Sequence, residues 1–322
     1  MWRSFRSVAV EQAAVDVLLA RLGVRLRESR VAVLRGDDIK DPADRAAPFW
    51  VSAAGGRRLV FSSNHLSAET VSAFAAALTR FEPHVLHAYP TILGSLCSLL
   101  RSSGTRVSIP ICLCSSELLP DDLWRLAADV LGSRVVDYYG LAERVSFAYA
   151  FEAGTYRFLP GYSYNELTPC GSDADADLYE LVATGLWNLK MPLVRYRTGD
   201  LVRLRAGSDP IAVAYGVEPF LGVVGRTDDY LVAPDGARLM GIDHIPRGIH
   251  NVERMQVIQE RRDAVRVLVV PADLSAGTDR AAILANAARK LPPTMSVSVE
   301  VASELERSPS GKIPFVVRRA GL

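Results

Sequence analysis

The chain has 322 residues, 49% of them hydrophobic and 23% charged, with a formal net charge of +1. That balance excludes an intrinsically disordered chain, and near-neutrality excludes the broad attraction that gathers nucleic acid. No stretch approaches the roughly 18 consecutive apolar residues of a membrane span, and the basic start Met1-Trp2-Arg3-Ser4-Phe5-Arg6 lacks the apolar segment of a secretion signal.

Apolar residues at helical spacing over 10–22 (Val10, Ala13, Ala14, Val17, Leu18, Leu22) predict a helix that Gly23 stops. Arg30 to Leu34 reads as a short buried strand, and the polar stretch between Gly36 and Gly56 as a surface loop. Ala53-Ala54-Gly55-Gly56 reads as a hairpin or loop tip. Ser67 is placed to cap a helix carrying Val71, Phe74, Ala75 and Leu78, which ends before Pro83. Val85 to Tyr89 is strand-like, and a helix follows from Pro90 toward Arg101. Val107 to Cys114 is rich in β-formers, Asp121 to Leu131 is helical between Pro120 and Gly132, and Val135 to Tyr139 is the next strand. Strands alternating with helices predict a parallel sheet covered by helices.

From Tyr156 to Val224 short strands (Leu178–Ala183, Leu193–Tyr196, Leu201–Leu204) sit among turns, which predicts an antiparallel region. Val265–Val270, Asp279–Leu291 and Val297–Val301 then read as strand, helix and strand of a compact α+β unit. The expected organisation is a large α/β domain over residues 1–227 and a small α+β domain over 228–322.

The cysteines Cys97, Cys112, Cys114 and Cys170 form no C-x-x-C pair and no disulfide framework, which points to a reducing cytoplasm. Cys112 and Cys114 alternate along a strand, as small buried groups do.

Four segments carry residue types suited to nucleotide chemistry. Asp137-Tyr138-Tyr139-Gly140-Leu141-Ala142-Glu143 ends a strand with aromatics that can stack a purine, followed by a carboxylate able to hold Mg²⁺. Tyr196-Arg197-Thr198-Gly199-Asp200 reads as a turn between strands that presents a carboxylate to a ribose diol. Gly225-Arg226-Thr227-Asp228-Asp229 offers an arginine for phosphate or ribose oxygens beside hinge-forming acids. Ser308-Pro309-Ser310-Gly311-Lys312-Ile313 offers one lysine on a Ser/Gly loop. Each alone is more often a plain turn.

Their order together resembles the signature series of the adenylate-forming (ANL) superfamily. Pro192-Leu193-Val194-Arg195-Tyr196-Arg197-Thr198-Gly199-Asp200, His87-Ala88-Tyr89-Pro90 and Ser115-Ser116-Glu117 resemble its phenylacetate–coenzyme A ligase branch, including the capsule-biosynthesis-like members. The resemblance runs from about Arg30 to the end. It implies an ANL-type large domain followed by a small mobile domain, and ATP-dependent activation of an aromatic or otherwise small carboxylic acid as acyl adenylate with transfer to coenzyme A. Tyr139 is then the adenine-stacking residue, Ser115, Ser116 and Glu117 line the nucleotide pocket, and Glu143 contacts Mg²⁺. Asp200 takes the ribose hydroxyls, Arg226 ribose or phosphate oxygens, and Asp228 is the hinge. Lys312 bridges the carboxylate and the α-phosphate, and Tyr89 lies near the acyl pocket. The resemblance asks nothing of His65, His84, His87, His244 and His250, which default to structural or surface roles.

The family's Ser/Thr/Gly-rich phosphate loop precedes everything that matches here, so the resemblance describes a large domain shortened at its N-terminus. It leaves open a second reading, a non-catalytic nucleotide-binding remnant or a subunit whose partner brings that loop, with self-association as a further expectation. Neither nucleic acid nor membrane is expected as a partner.

Overall fold

A computed structural model of the chain describes all residues except 1, 36, 38, 42–43, 173–175, 227–229, 235, 237, 240–241, 243–244, 247–248, 272, 274, 307–313 and 320–322. It divides into two compact units, Met1–Thr198 with Val202–Val223, and Gly199–Leu201 with Val224–Leu322. The expected division between residues 227 and 228 falls among residues outside the description.

The first unit opens with α1 (Phe5–Ala20), whose N-cap Ser4 accepts a bond from the Ser7 amide at 3.1 Å. Ser4 is in turn held by the turn at Trp187 and Asn188: its amide donates to Asn188 Oδ1 at 2.9 Å and its hydroxyl to the Trp187 carbonyl. These bonds carry the helix further toward the N-terminus than the apolar spacing suggested. They also help fix its rotation. Ala14, Val15, Leu18 and Leu19 are buried, whereas Val17, expected on the inner face, is 51% exposed. With apolar residues all round α1, periodicity cannot select the buried face. Ser4→Ala should cost about 1 kcal/mol, read as a lower urea midpoint at unchanged slope.

β1 (Val31–Leu34) is buried throughout. β2 (Trp50–Ala53) and β3 (Arg58–Phe61) form a hairpin. The expected surface loop therefore contains a strand, which the flanking Pro- and Asp-bearing sequence concealed. α2 (Val71–Phe81) follows, with Thr70 rather than Ser67 as its first flanking residue. Then come β4 (Val85–Ala88), α3 (Pro90–Ser103), β5 (Ile111–Ser115), α4 (Asp121–Leu131) and β6 (Arg134–Gly140). Gly104 and Gly132 end α3 and α4 in left-handed conformation. β7 (Phe147–Ala150) and β8 (Arg157–Phe158) complete a sheet ordered β2-β3-β1-β4-β5-β6-β7-β8.

The five strands from β3 to β6 in that order pair in parallel. Side chains alternate across this sheet. Ala32, Leu34, Leu86, Ala88, Cys112 and Cys114 pack with α2, α3 and α4, while Val31, Val33, Val85, Ile111, Leu113 and Val136 pack with α1. Helices on both faces explain why these strands read as continuous apolar runs. Burial pushes the Cys97 and Cys112 thiols up to about 12, so both stay protonated.

A second sheet is ordered β12-β11-β10-β9, from β9 (Ser163–Ser172), β10 (Ala176–Gly185), β11 (Tyr196–Arg205) and β12 (Gly222–Arg226), with α5 (Pro210–Ala214) between β11 and β12. β9 and β10 pair antiparallel, as the turn-rich sequence predicts.

The remaining strands are β13 (Leu231–Val232), β14 (Arg238–Leu239), β15 (Arg254–Arg261), β16 (Ala264–Val270), β17 (Ser296–Val301) and β18 (Val316–Arg318). The last four make a sheet ordered β17-β16-β15-β18, and α6 (Arg280–Ala288) contributes Ile283 and Ala287 to its core. No described helix is long and apolar enough to cross a membrane.

Candidate active site

The chain leaves β1 for β3 on one side and returns past β1 to β4 on the other. Such a reversal leaves a crevice beyond the C-terminal ends of parallel strands. Register puts the ends of β4, β5 and β6 side by side: Ala88 pairs with Cys114, and Ser115 with Tyr138. Tyr89, Ser115, Ser116, Tyr139 and Glu143, expected from distant stretches of sequence, therefore sit on or just past three adjacent strand ends.

Each is held by its own local chemistry. Ser115 is buried, with its hydroxyl 3.4 Å from both His87 Nε2 and Ser116 Oγ. Ser116 has φ of 72°, a left-handed conformation uncommon for a residue with a side chain and concentrated at functional turns. Glu117 takes a role that its motif did not reveal. Its Oε2 accepts from the Thr91 amide at 2.8 Å and the Thr91 hydroxyl at 2.5 Å, which ties the carboxylate to the start of α3. Tyr89 immediately precedes that helix, half-buried, and its amide donates to the Leu34 carbonyl at 3.3 Å. Glu143 lies in the turn after β6, half-buried, and accepts from the Tyr196 hydroxyl at 3.3 Å.

Tyr138 and Tyr139 point to opposite faces of β6. Tyr139 packs with the core under α2–α4, and Tyr138 with the α1 side. On that side a cavity of about 270 Å³ is lined by His87, Leu113, Tyr138, Arg35 and Arg58, among others. His87 is thus a cavity wall rather than filler. Burial, with Arg35 and Arg58 adding positive charge, pushes its pKa down to about 3 and keeps the imidazole neutral. Apart from Tyr138, the residues on this wall lie outside the four motifs, but strand alternation places Val85, His87, Leu113 and Tyr138 on one face. Glu11 of α1 closes the cavity beside Arg144, with which it forms an ion pair, and accepts from the Tyr162 hydroxyl at 3.3 Å.

Asp137, two residues before Tyr139, is buried and accepts a short bond from the Tyr156 hydroxyl, while its Oδ1 has no partner among the described residues. Desolvation outweighs that bond and pushes the carboxyl up to about 7.

Thr198-Gly199-Asp200 lies inside β11, not in a turn between two strands. Gly199, at φ of 77°, interrupts the strand locally as a side-chain-bearing residue would do only with strain. The Thr198 hydroxyl donates to the Leu181 carbonyl at 2.9 Å, Arg197 pairs with Glu180 through two bonds of 2.9 and 2.6 Å, and Asp200 is buried. Arg226 ends β12. Asp228 and Lys312 lie outside the described residues.

Comparison with known proteins agrees with this architecture. The family model for the CapK C-terminal domain matches residues 231–319. Protein CapK of Staphylococcus aureus is 23% identical over 221 residues, which cover 68% of this chain and 48% of CapK. Phenylacetate-coenzyme A ligase of Pseudomonas putida is 28% identical over 162 residues, 47% of this chain and 36% of the ligase. The chain thus spans half or less of these relatives. Among solved structures, O-succinylbenzoate coenzyme A synthetase (MenE) of Bacillus subtilis in complex with AMP matches with a TM-score of 0.55 at 15% identity, covering 97% of this chain and 64% of the synthetase. A 2-hydroxyisobutyryl-CoA ligase in its postadenylation state matches with a TM-score of 0.54 at 16% identity, covering 98% of this chain and 70% of the ligase. At such identities the likeness establishes the fold. The chain is thus similar to CapK and to phenylacetate-coenzyme A ligase, shares the fold of these coenzyme A ligases, and matches the CapK C-terminal domain over residues 231–319.

Proposed function

We propose that the protein activates a small carboxylic acid with ATP as an acyl adenylate and passes the acyl group to coenzyme A. The observation that carries this reading is the convergence of Tyr89, Ser115, Ser116, Tyr139 and Glu143 on three neighbouring strand ends, in a chain similar to an acid–coenzyme A ligase.

The chemistry brings two anions together, a carboxylate and the α-phosphate, so the site has to align them and neutralise charge that develops on the phosphate. In this reading Tyr139 offers a ring face to adenine, and the turn at Ser115-Ser116-Glu117 lines the nucleotide pocket. Asp200 takes the ribose hydroxyls, and Arg226 ribose or phosphate oxygens. Glu143 fits a Mg²⁺ ligand: a half-buried carboxylate supplies hard oxygen donors, and Mg²⁺ is commonly held by one or two carboxylates together with substrate phosphates. When bound, Mg²⁺ offsets phosphate charge. Lys312 supplies the mobile positive charge at the reacting oxygens, and Asp228 is the hinge of the small domain.

The test is exchange of labelled pyrophosphate into ATP, driven by each acid of a broad panel with correctly folded protein. Exchange above background with at least one acid is expected. Tight AMP binding without exchange for any acid would favour the nucleotide-binding remnant instead.

A further inference from the structure

The cavity beside α1 is chemically two-sided. Val31, Val85 and Leu113 give it an apolar wall, while Arg35 and Arg58 bring two guanidinium groups to it. Its one lining carboxylate, Glu11, is already matched by Arg144. Arg35 meets Asp37 only at 3.4 Å, and its buried Nε has Asp37 Oδ2 as a loose ion-pair partner but no hydrogen bond among the described residues. Arg58 is exposed and makes no ion pair among the described residues. Burial lowers the His87 pKa first, and the positive charge of Arg35 and Arg58 adds to that lowering. A buried donor without an acceptor is costly, and an arginine fork matches a carboxylate with two parallel bonds. The surplus is positive, and a short hydrocarbon spacer fits beside it.

We infer that the cavity receives the acyl part of an acid that carries a second anionic group, paired with Arg58 and Arg35, across a short apolar spacer from the carboxyl that is activated. The inference rests on the acid-activating reading above. At about 270 Å³ the cavity lies at the small end of ligand sites, which limits the spacer to about one ring or a few methylenes. The shared chemistry is a second anion. A second carboxylate, a sulfonate and a phosphonate are separate arms of the test.

Binding can be read without the reaction. Calorimetry on the full chain without ATP would compare benzoate with isophthalate, terephthalate, 3-sulfobenzoate and 3-phosphonobenzoate, and butyrate with glutarate. At least one doubly anionic acid should bind about tenfold or more tighter than its singly anionic partner. Arg58→Gln and Arg35→Gln should bring that ratio close to one, and Arg58→Lys should restore part of it. Circular dichroism melting checks that each variant folds, and exposed Arg58 makes the cleaner probe. Equal affinity within every pair, no binding of any probe, or a preference that survives in both glutamine variants would overturn the inference. Loss of all pyrophosphate exchange alongside an intact calorimetric preference would instead overturn the ligase reading and leave the anion site standing.

Discussion

Lys312→Ala should lower carboxylate-dependent pyrophosphate exchange by roughly 100- to 1,000-fold. The argument is one of charge. A carboxylate closing on the α-phosphate meets repulsion that a positioned ammonium group offsets in a dry site far better than water does. The chain has only four lysines, Lys40, Lys190, Lys290 and Lys312, and only Lys312 follows a Ser-Gly pair in the sequence. Lys190→Ala, an exposed position, is the matched control and should leave exchange at the wild-type rate. AMP affinity should change far less than exchange in Lys312→Ala, because the lost interaction belongs to the transition state. Exchange at the wild-type rate in Lys312→Ala would remove this lysine from the chemistry.

Stability should fall as pH rises from 4 to 8, and Asp137→Asn should remove that part of the slope. The folded carboxyl titrates near 7, against 3.8 for an unperturbed aspartate. The folded state therefore holds a proton that the unfolded chain has already lost in this window. A group raised in this way contributes its stability below pH 3.8 and loses it progressively up to about 7. At roughly 1.4 kcal/mol per pH unit the difference amounts to about 4 kcal/mol. The physical source is a carboxylate 4% exposed, with the Tyr156 hydroxyl on one oxygen and no partner for the other among the described residues. Urea unfolding of wild type and variant at several pH values isolates this group, since other titrations cancel in the difference. Parallel curves for the two proteins would show that Asp137 ionises freely in the folded state.

Much of the fold is legible in the linear sequence because the signals are local. Asp121–Leu131 lies between Pro120 and Gly132 and carries its apolar residues on one face, so its bounds are the helix bounds. β1, β4 and β5 are short apolar runs because helices cover both faces of their sheet. β2 and β9 were hidden for the opposite reason. Their burial is mixed, and only pairing with β3 and β10 makes them strands. The rotation of α1 was equally illegible, since it is set in part by Ser4 against Asn188 and Glu11 against Arg144, contacts more than 130 residues apart.

The sequence alone determined the types and order of the residues proposed for the chemistry: a strand-end aromatic pair, a glutamate after a glycine, a Thr-Gly-Asp segment, and a lysine after a Ser-Gly pair. It also determined that parallel strands alternate with covering helices, because apolar periodicity records which faces meet solvent. Tertiary structure alone decided that Glu117 serves the start of α3, that Thr198-Gly199-Asp200 lies within a strand, and that Tyr138 and His87 share a cavity with Arg35 and Arg58. Those outcomes depend on register between strands and on where buried charge finds a partner. Both are settled by groups far apart along the chain, so no window of sequence contains them.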